Sequence, residues 1–155
     1  MIFAAGLGTR LKPITDSIPK ALVPINGKPL LQFVIEKLKM SGFDEIIVNV
    51  HHFPDQIIDF LNTNYNFGIH IEVSDERDLL LDTGGGIRKA QWFFDDGKPF
   101  LVHNVDILSN VDLKALYHQH LRTNCLATLV VSQRNTFRYL LFNDDLFDDI
   151  GFLVL

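Results

Sequence analysis

The chain has 155 residues, 47% hydrophobic and 21% charged, which is the length and composition of one ordinary globular domain. Its single cysteine excludes an internal disulfide framework and favours the reducing cytoplasm, and no apolar run approaches the roughly 18 residues of a membrane span. The net charge of -5 argues against nucleic acid as a bulk partner, while the first thirty residues hold four basic residues against one acid, which indicates a local anion site.

Strands and helices alternate along the first half of the sequence. The apolar residues 1–5 predict a buried strand, because strands inside parallel sheets are apolar on both faces. Apolar residues recur at helical spacing over 29–41, where Pro29 suits the first helical position. The elements predicted next are a strand at 45–50, a helix at 54–65 and a strand at 69–74.

The second half continues the same alternation. A helix is predicted to begin near Thr83 and to run on through the sequence IRKAQWFF. The elements predicted after it are a strand at 99–105, a helix at 111–123, and a strand at 126–132 that could pair with 137–142 as a hairpin. Such alternation indicates an α/β fold in three layers, with a mostly parallel sheet covered by helices on both faces.

The segment AAGLGTRLKPITDSIPKALVPINGKP, which includes the end of the first predicted strand, has the composition of a phosphate-binding loop. Gly6 and Gly8 allow backbone N–H groups to approach a phosphate closely, and Thr9 adds a hydroxyl donor. Arg10 can hold phosphate oxygens in a fork, and Lys20 can supply a second positive charge. On composition alone, a glycine-rich turn with solvated cations remains the alternative.

Two familiar phosphate loops do not match this segment. The P-loop pattern G-x-x-x-x-G-K-[ST] is absent from it. The dinucleotide fingerprint G-x-G-x-x-G would begin at Gly6, but Leu11 replaces its third glycine and Pro13 interrupts the helix that should follow. A nicotinamide-dependent oxidoreductase is therefore disfavoured.

The same segment resembles the signature of the sugar-phosphate nucleotidylyltransferases, or nucleotide-sugar pyrophosphorylases. Their pattern is G-x-G-T-R-x-x-P-x-T, then P-K-x-L-x-P, then G-K-P, and each fixed position is met here. The similarity continues through LLLDTGGGIRKA and PFLVHNVDI, and DERDLLLDTGGGI resembles the subgroup of N-acetylmuramate-1-phosphate uridylyltransferases and mannose-1-phosphate guanylyltransferase-like proteins. The resemblance implies the Rossmann-like α/β/α fold of the nucleotide-diphospho-sugar transferases.

The resemblance implies a reaction in which an NTP and a sugar 1-phosphate give an NDP-sugar and pyrophosphate. The sugar phosphate attacks the α-phosphorus in line, so charge stabilisation is needed more than a general base. By the same resemblance, Arg10 binds the β- and γ-phosphates, Lys20 bridges phosphates near the α-phosphorus, and the backbone of residues 6–9 holds the triphosphate. The implied partners are these two small molecules, with no nucleic acid and no membrane.

The resemblance also implies Mg²⁺ as the cofactor and Asp106 as its ligand. Asp106 follows the predicted strand at 99–105, so it lies at the carboxyl edge of the sheet, where ligands bind in open α/β folds. Hard cations prefer carboxylate oxygens of this kind. The sequence departs from the family at Val105, because the family usually has Gly before this aspartate, and the departure bears on the geometry of the metal site.

Recognition of the base is expected on two segments that are far apart in sequence. In the family, the backbone near the first loop and the segment before the T-G-G turn contact the base. This resemblance points to Ala5, Thr83 and Gly84, and it points less directly to Glu76. Seen alone, DTGGGIRKA could be plain helix capping by Thr83, but three consecutive glycines are more than a cap requires.

The sequence ends on the apolar run GFLVL, whereas domain ends are usually polar, so we expect residues 1–155 to be the N-terminal part of a longer catalytic domain. The second metal-binding aspartate of the family and most of its sugar-recognition residues lie further along than this sequence reaches. The sugar stays open, and so does the nucleotide, for which the subgroup favours UTP over GTP and CTP. A non-catalytic nucleotide-binding or regulatory module of the same fold is the alternative to an enzyme.

Overall fold

The computed structural model describes residues 1–123 and 125–132. Within these residues, four strands form a parallel sheet and two form a separate antiparallel hairpin. In chain order the elements are β1 (Ile2–Phe3), β2 (Pro24–Ile25), β3 (Lys28–Pro29), α1 (Leu30–Met40), β4 (Glu45–Val50), α2 (Pro54–Thr63), β5 (His70–Asp75), α3 (Asp82–Lys89), β6 (His103–Asn104) and α4 (Leu113–Arg122).

The parallel sheet has the strand order β5-β4-β1-β6, which puts β1 between two neighbours. Ile2 of β1 lies opposite Val48 of β4 on one side and opposite His103 of β6 on the other. The chain therefore winds outward from β1 through β4 to β5, and β6 later returns to the opposite side of β1. Such a reversal leaves a crevice at the carboxyl ends of the strands, which is where open α/β sheets bind ligands.

Apolar side chains cover both faces of the sheet, as the sequence predicted. Because side chains alternate along each strand, Ile2 and Val48 face one side, where they join a core with residues of α1, α2 and α4. Ile47 faces the other side, where a smaller cluster includes side chains from α3 and from the turn that follows it. Helices thus lie on both faces, and the three predicted layers are present.

Helix α1 shows why these segments adopt their observed structure. Its buried side chains recur at intervals of three and four residues, which places them on one stripe that faces the sheet. Pro29 is extended (φ -59°, ψ 144°), so it ends β3 and comes just before the helix instead of occupying its first turn. The residues of the buried stripe are Leu30, Leu31, Val34, Ile35 and Leu38.

Three predicted elements differ from the structure. The strand predicted at 99–105 is reduced to β6, because β1 leaves the sheet after Phe3 and offers no longer partner. Helix α3 begins at Asp82, close to the predicted start, but it ends at Lys89, and Gln91–Phe94 form a separate 3-10 turn whose phenylalanines pack back onto the sheet. No strand forms over 126–132.

The rest of that predicted hairpin, at 137–142, lies outside the described residues. A strand is stabilised by its hydrogen-bonded neighbour, and residues 126–132 have no such neighbour in the part of the chain that the structure describes.

Among residues 1–123 and 125–132, no helix is both long and apolar enough to cross a membrane.

Candidate functional site

An open cleft of about 270 Å³ lies at the carboxyl ends of β1, β4 and β6. This is the position that the reversal of strand order predicts for a ligand. Several separate parts of the chain contribute to it, including the loop after β1, the start of α3 and the residues around β6. The lining residues are Phe3, Ala4, Ala5, Gly6, Lys20, Asn49, Leu80, Asp82, Thr83, Asn104, Val105 and Asp106.

The loop after β1 exposes its backbone to this cleft. A Cβ built on Gly6 would have no atom within 4 Å, so the space beside its backbone is open. Gly8 adopts a left-handed backbone (φ 66°), and its carbonyl oxygen accepts a hydrogen bond from the Thr15 hydroxyl at 2.9 Å. His52 Nε2 lies 3.1 Å from the carbonyl oxygen of Thr15. The loop is therefore held in place by hydrogen bonds at Gly8 and Thr15, and its backbone is accessible at Gly6.

Arg10 and Thr9 lie on the 3-10 turn Thr9–Leu11, which Gly8 introduces. Both residues are exposed, and neither lines the cleft. The structure therefore brings Gly6 and Lys20 into the cleft but leaves Arg10 outside its lining. A ligand that contacts Arg10 would have to extend out of the cleft along this loop.

Lys20 and Asp106 meet in the cleft from distant parts of the sequence. Lys20 opens a 3-10 turn, and Asp106 follows β6. Lys20 Nζ donates a hydrogen bond to Asp106 Oδ2, and the two side chains form an ion pair that is 20% exposed at the lysine and 38% exposed at the aspartate. The sequence predicted both residues for the site, and the structure puts a cation and a carboxylate side by side.

Val105 lines the cleft, but it is almost completely buried. It is 3% exposed and belongs to the apolar core, and its N–H donates to the carbonyl oxygen of Phe3 at 3.1 Å. The side chain that stands where the family usually has Gly is therefore accommodated by the core. Asp106 follows Val105 directly and lines the same cleft.

The residues predicted to contact a base occupy two sides of the cleft and the space behind it. Ala5, on the loop side, and Thr83, at the start of α3, both line the cleft. Gly84 follows Thr83 and is exposed, with no atom within 4 Å of an added Cβ. Glu76 is 1% exposed and is not among the lining residues, so it lies behind the cleft.

Asn49 lines the cleft although it is only 2% exposed, and it is not among the site residues predicted from the sequence. Its side chain contacts the backbone of Ala4 and Ala5 and the carboxylate of Glu76. The available signal was an asparagine inside the otherwise apolar strand EIIVNV, since a buried polar side chain in such a strand requires partners. Asp82 and Asn104 also line the cleft; they lie within the segments LLLDTGGGIRKA and PFLVHNVDI, but no role was predicted for them.

The carboxylates of the cleft do not form a closed metal cage. Within residues 1–123 and 125–132, no group of three or more His, Cys, Asp or Glu side chains is arranged to hold a metal ion. Asp106 and Asp82 line the same cleft. Mg²⁺ commonly binds through one or two carboxylates together with water and substrate phosphates, so a site with few protein ligands is compatible with that ion.

A parallel sheet that reverses its strand order at β1, with a glycine loop and a lysine–aspartate pair at that point, defines a doubly wound α/β protein with an open cleft at the carboxyl edge of its sheet. The family model described as "Nucleotidyl transferase" matches residues 1–139. The chain belongs to this family, which confirms the resemblance seen in its sequence.

Two curated relatives illustrate the similarity. UTP–glucose-1-phosphate uridylyltransferase of Synechocystis sp. is 38% identical over 141 residues, which cover 84% of this chain and 36% of that protein. N-acetylmuramate alpha-1-phosphate uridylyltransferase of Neisseria meningitidis serogroup B is 41% identical over 117 residues, which cover 76% of this chain and 50% of that protein. The chain thus spans about a third to a half of the length of these relatives.

A solved structure supports the fold. The crystal structure of HddC from Yersinia pseudotuberculosis superimposes with a TM-score of 0.69 at 36% identity, over 77% of this chain and 52% of that one. The predicted fold, a Rossmann-like α/β/α arrangement of the nucleotide-diphospho-sugar transferase type, is confirmed.

Proposed function

We propose that this chain supplies the nucleotide-binding part of a sugar-1-phosphate nucleotidylyltransferase, which converts an NTP and a sugar 1-phosphate into an NDP-sugar and pyrophosphate. The observation that carries the proposal is the meeting of Lys20 and Asp106 beside the open backbone of Gly6, because it gathers a cation, a carboxylate and N–H donors in one cleft. Both curated relatives are named as uridylyltransferases acting with a sugar 1-phosphate, which supports the same substrate classes here.

The reaction needs charge stabilisation more than proton transfer. An oxygen of the sugar phosphate forms a bond to the α-phosphorus while the bond from that phosphorus to the β-phosphate oxygen breaks. The attacking oxygen is already anionic at neutral pH, so no base has to remove a proton first. Positive charge and aligned donors must offset the repulsion among the phosphates. The described residues that line the cleft supply Lys20 and glycine backbone, and they include no His, Cys or Ser.

Each phosphate-binding residue contacts a different part of the triphosphate. Lys20 lines the cleft and neutralises oxygens around the α-phosphorus, where the new bond forms. The backbone of residues 6–9 donates N–H groups along the chain of phosphates. Arg10, exposed on the turn that follows, binds the β- and γ-phosphates where they leave the cleft and stabilises the departing pyrophosphate.

The base is held between the two sides of the cleft. Ala5 contributes backbone from the loop side, and Thr83 and Gly84 contribute from the start of α3. The open space beside Gly84 suits close approach of a flat ring. UTP is the nucleotide we assign, because the two relatives described above are named as uridylyltransferases and the subgroup resemblance favours UTP over GTP and CTP. We assign the reaction to the cytoplasm, because the single cysteine of the chain is compatible with a reducing compartment.

Mg²⁺ is the cofactor we assign, and Asp106 is its protein ligand. This carboxylate lines the cleft beside Lys20 and is partly exposed, so it is accessible to an ion that also binds phosphate oxygens. When bound, the ion would neutralise phosphate charge during the displacement. The side chains of the chain itself then bind and orient the nucleotide around that charge.

The test is release of pyrophosphate by the purified chain with Mg²⁺, each of the four common NTPs, and a panel of glucose, N-acetylmuramate and mannose 1-phosphates. We expect release with UTP and one sugar phosphate, and a loss of about 100-fold or more in Arg10→Ala. Arg77→Ala is the matched control, because Arg77 is an exposed arginine that pairs with Asp55 and Asp75 and does not line the cleft.

Two other outcomes would change the assignment. Binding of an NTP without release of pyrophosphate, both by this chain and by a longer protein that includes it, would favour a non-catalytic nucleotide-binding module. An equal loss of activity in Arg10→Ala and Arg77→Ala would remove the specific role of Arg10, since a general loss of positive charge would then explain both.

A further inference from the structure

Two buried polar side chains connect the two sides of the cleft from behind. Asn49 of β4 is 2% exposed, and Glu76, which follows β5, is 1% exposed. Asn49 Nδ2 donates a hydrogen bond to Glu76 Oε1 at 2.9 Å. A buried carboxylate and a buried amide both cost free energy of desolvation, and apolar side chains of similar size often stabilise a fold at least as well. Their presence here therefore calls for a role besides core packing.

The amide oxygen of Asn49 fixes the chain where it leaves β1. The N–H groups of Ala4 and Ala5 donate to Oδ1 of Asn49 at 2.8 and 3.3 Å. β1 pairs with its neighbours only over Ile2–Phe3, so these two N–H groups lie beyond the ladder. The asparagine side chain takes the place of a strand as their acceptor. Because Gly6 follows directly, Asn49 sets the path of the glycine loop into the cleft.

Glu76 fixes the opposite side of the cleft. Its second oxygen, Oε2, accepts a longer hydrogen bond from the N–H of Leu81 at 3.3 Å, one residue before α3 begins. The next two residues, Asp82 and Thr83, line the cleft. The carboxylate therefore holds the start of α3 while its other oxygen is bound to Asn49.

Gly86 explains how α3 comes so close to this pair. A Cβ at position 86 would lie 3.0 Å from Glu76 Oε1 and 3.1 Å from Asn49 Nδ2, which is tighter than ordinary contact. The third glycine of the TGGG run thus makes room for the buried pair, whereas the first, Gly84, faces open space. Gly86 therefore allows close packing behind the cleft, and Gly84 leaves space for a ligand in front of it.

We propose that Asn49 and Glu76 are positioning residues for the nucleotide. The pair holds the glycine loop and the start of α3 at the separation that the triphosphate and its base require. It acts through Ala5 and Thr83, and Glu76 itself does not line the cleft. The inference rests on the proposed function, because it assigns the pair to a nucleotide site. It also changes the role predicted for Glu76 from direct contact to support.

The backbone N–H groups that contact Asn49 and Glu76 determine which substitutions can preserve the hydrogen bonds. Ala4, Ala5 and Leu81 all present N–H groups, so the side-chain atoms facing them must be acceptors, and the contact between the two side chains needs one donor and one acceptor. The native pair meets this requirement. The double substitution Asn49→Asp with Glu76→Gln also meets it, because the carboxylate and the amide exchange places.

Each single substitution breaks the pattern while keeping the side-chain shape. Asn49→Asp brings two carboxylates together behind the cleft. Glu76→Gln sets two donors against each other, either at Asn49 or at the N–H of Leu81. Ser74→Ala is the matched control, since Ser74 lies opposite Asn49 on the neighbouring strand and its buried hydroxyl oxygen has no partner within the described residues.

The experiment measures binding of each of the four NTPs with Mg²⁺ by calorimetry, steady-state release of pyrophosphate, and thermal unfolding for all five proteins. We expect each single variant to raise the Kd and KM for the nucleotide about 10-fold, with a smaller change in kcat. The double variant should return to within about threefold of the native values, because coupled partners recover when the pairing is restored. Ser74→Ala should match the native chain.

Three results would overturn the positioning role. If the single variants bind the nucleotide as tightly as the native chain does, the pair has no positioning role, but the proposed function is unaffected. A double variant that folds but fails to recover affinity would mean that the singles act through general damage to the core. Absence of NTP binding by the native chain would remove the proposed function and the positioning role together.

Discussion

Lys20 Nζ donates to the carboxylate of Asp106, although 86 residues separate the two in the sequence. The cation assigned to phosphate and the carboxylate assigned to Mg²⁺ thus neutralise each other in this structure. The side chains are 20% and 38% exposed, so solvent screens the pair and it contributes little to folding stability. A triphosphate that enters the cleft would compete with Asp106 for Lys20, and the two members of the pair are expected to respond differently to substitution.

Lys20→Met should abolish most activity and leave the fold intact. Methionine keeps the length of the side chain but removes the charge that offsets phosphate repulsion at the α-phosphorus. We expect kcat/KM for the nucleotide to fall about 100- to 1,000-fold, as measured by pyrophosphate release. The free energy of unfolding in urea should change by no more than about 1 kcal/mol, because the lost ion pair is solvent-screened.

Lys12→Met is the matched control for this prediction. Lys12 lies on the same segment and pairs with Asp16 at 3.1 Å, but both side chains are largely exposed and neither lines the cleft. Its activity should stay within about twofold of the native value, since surface charges are screened at physiological salt. Equal losses at Lys12 and Lys20 would point to overall charge and against a specific contact.

Asp106→Asn should strengthen nucleotide binding without the metal and slow pyrophosphate release with it. In EDTA the substitution removes a carboxylate from the path of an anionic triphosphate and releases Lys20 from its ion pair, so UTP should bind more tightly. With Mg²⁺ the same substitution removes the assigned metal ligand, and pyrophosphate release should fall about 100-fold or more. Calorimetry in the two buffers, alongside the rate assay, checks both signs.

Asp16→Asn provides the comparison for Asp106→Asn. Asp16 is an exposed carboxylate on the same segment as Lys20 and outside the cleft, so binding should stay the same in both buffers. A weaker affinity of Asp106→Asn in EDTA would contradict the competition between the carboxylate and the phosphates. An unchanged rate with Mg²⁺ would remove Asp106 as the metal ligand.

The local parts of the fold could be predicted from the sequence because they depend on short-range patterns. The apolar run 45–50 is β4, and the helical spacing after Pro29 is α1. The position of Asp106 after an apolar strand placed it at the carboxyl edge, where it meets Lys20. These predictions needed only periodicity and the rule that ligands bind at that edge.

Long-range pairing could not be predicted in the same way. The length of β6 depends on how soon β1 leaves the sheet, which no residue of 99–105 reveals. The partnership of Asn49 with Glu76 joins residues 27 apart, and it shows only when β4 and β5 are aligned. The reason for Gly86 appears with that pair, because its missing side chain is what the pair requires.

Replacement by alanine should reduce folding stability at Gly8 and nucleotide binding at Gly6. Gly8 has a φ of 66°, and an added Cβ would lie 2.8 Å from Cγ2 of Thr15, so Gly8→Ala should lower the free energy of unfolding by about 1 to 3 kcal/mol. Gly6 has open space beside it, so Gly6→Ala should fold normally, within about 0.5 kcal/mol of the native chain.

The functional cost of Gly6→Ala should appear in substrate binding. An added methyl group enters the cleft where backbone N–H groups approach a phosphate, so the KM for the nucleotide should rise about 10-fold. Urea unfolding and pyrophosphate release, measured on both alanine variants, separate the two effects. A stable Gly8→Ala, or a Gly6→Ala with native KM, would show that the roles have been assigned to the wrong glycine.

His103 should make the protein less stable in mild acid. It is 7% exposed on β6, and burial lowers its pKa below the ordinary value near 6.5. Its Nδ1 lies 2.7 Å from the carbonyl oxygen of Asn104, which places the proton of the neutral ring on Nδ1; this hydrogen bond by itself raises the pKa, but burial has the larger effect. Between the lowered folded pKa and the ordinary unfolded one, the unfolded chain binds more protons, so the free energy of unfolding rises with pH across that window.

The corresponding measurement is the free energy of unfolding in urea from about pH 5 to pH 7, with the His103 titration followed by NMR. His103→Gln removes the titrating group, so stability should depend less on pH over this range than in the native chain. His118→Gln is the control, because His118 is exposed on α4 and its replacement should leave the native slope unchanged. If His103 titrates above 6.5, or if both variants flatten the slope equally, burial of this ring is not the source of the acid sensitivity.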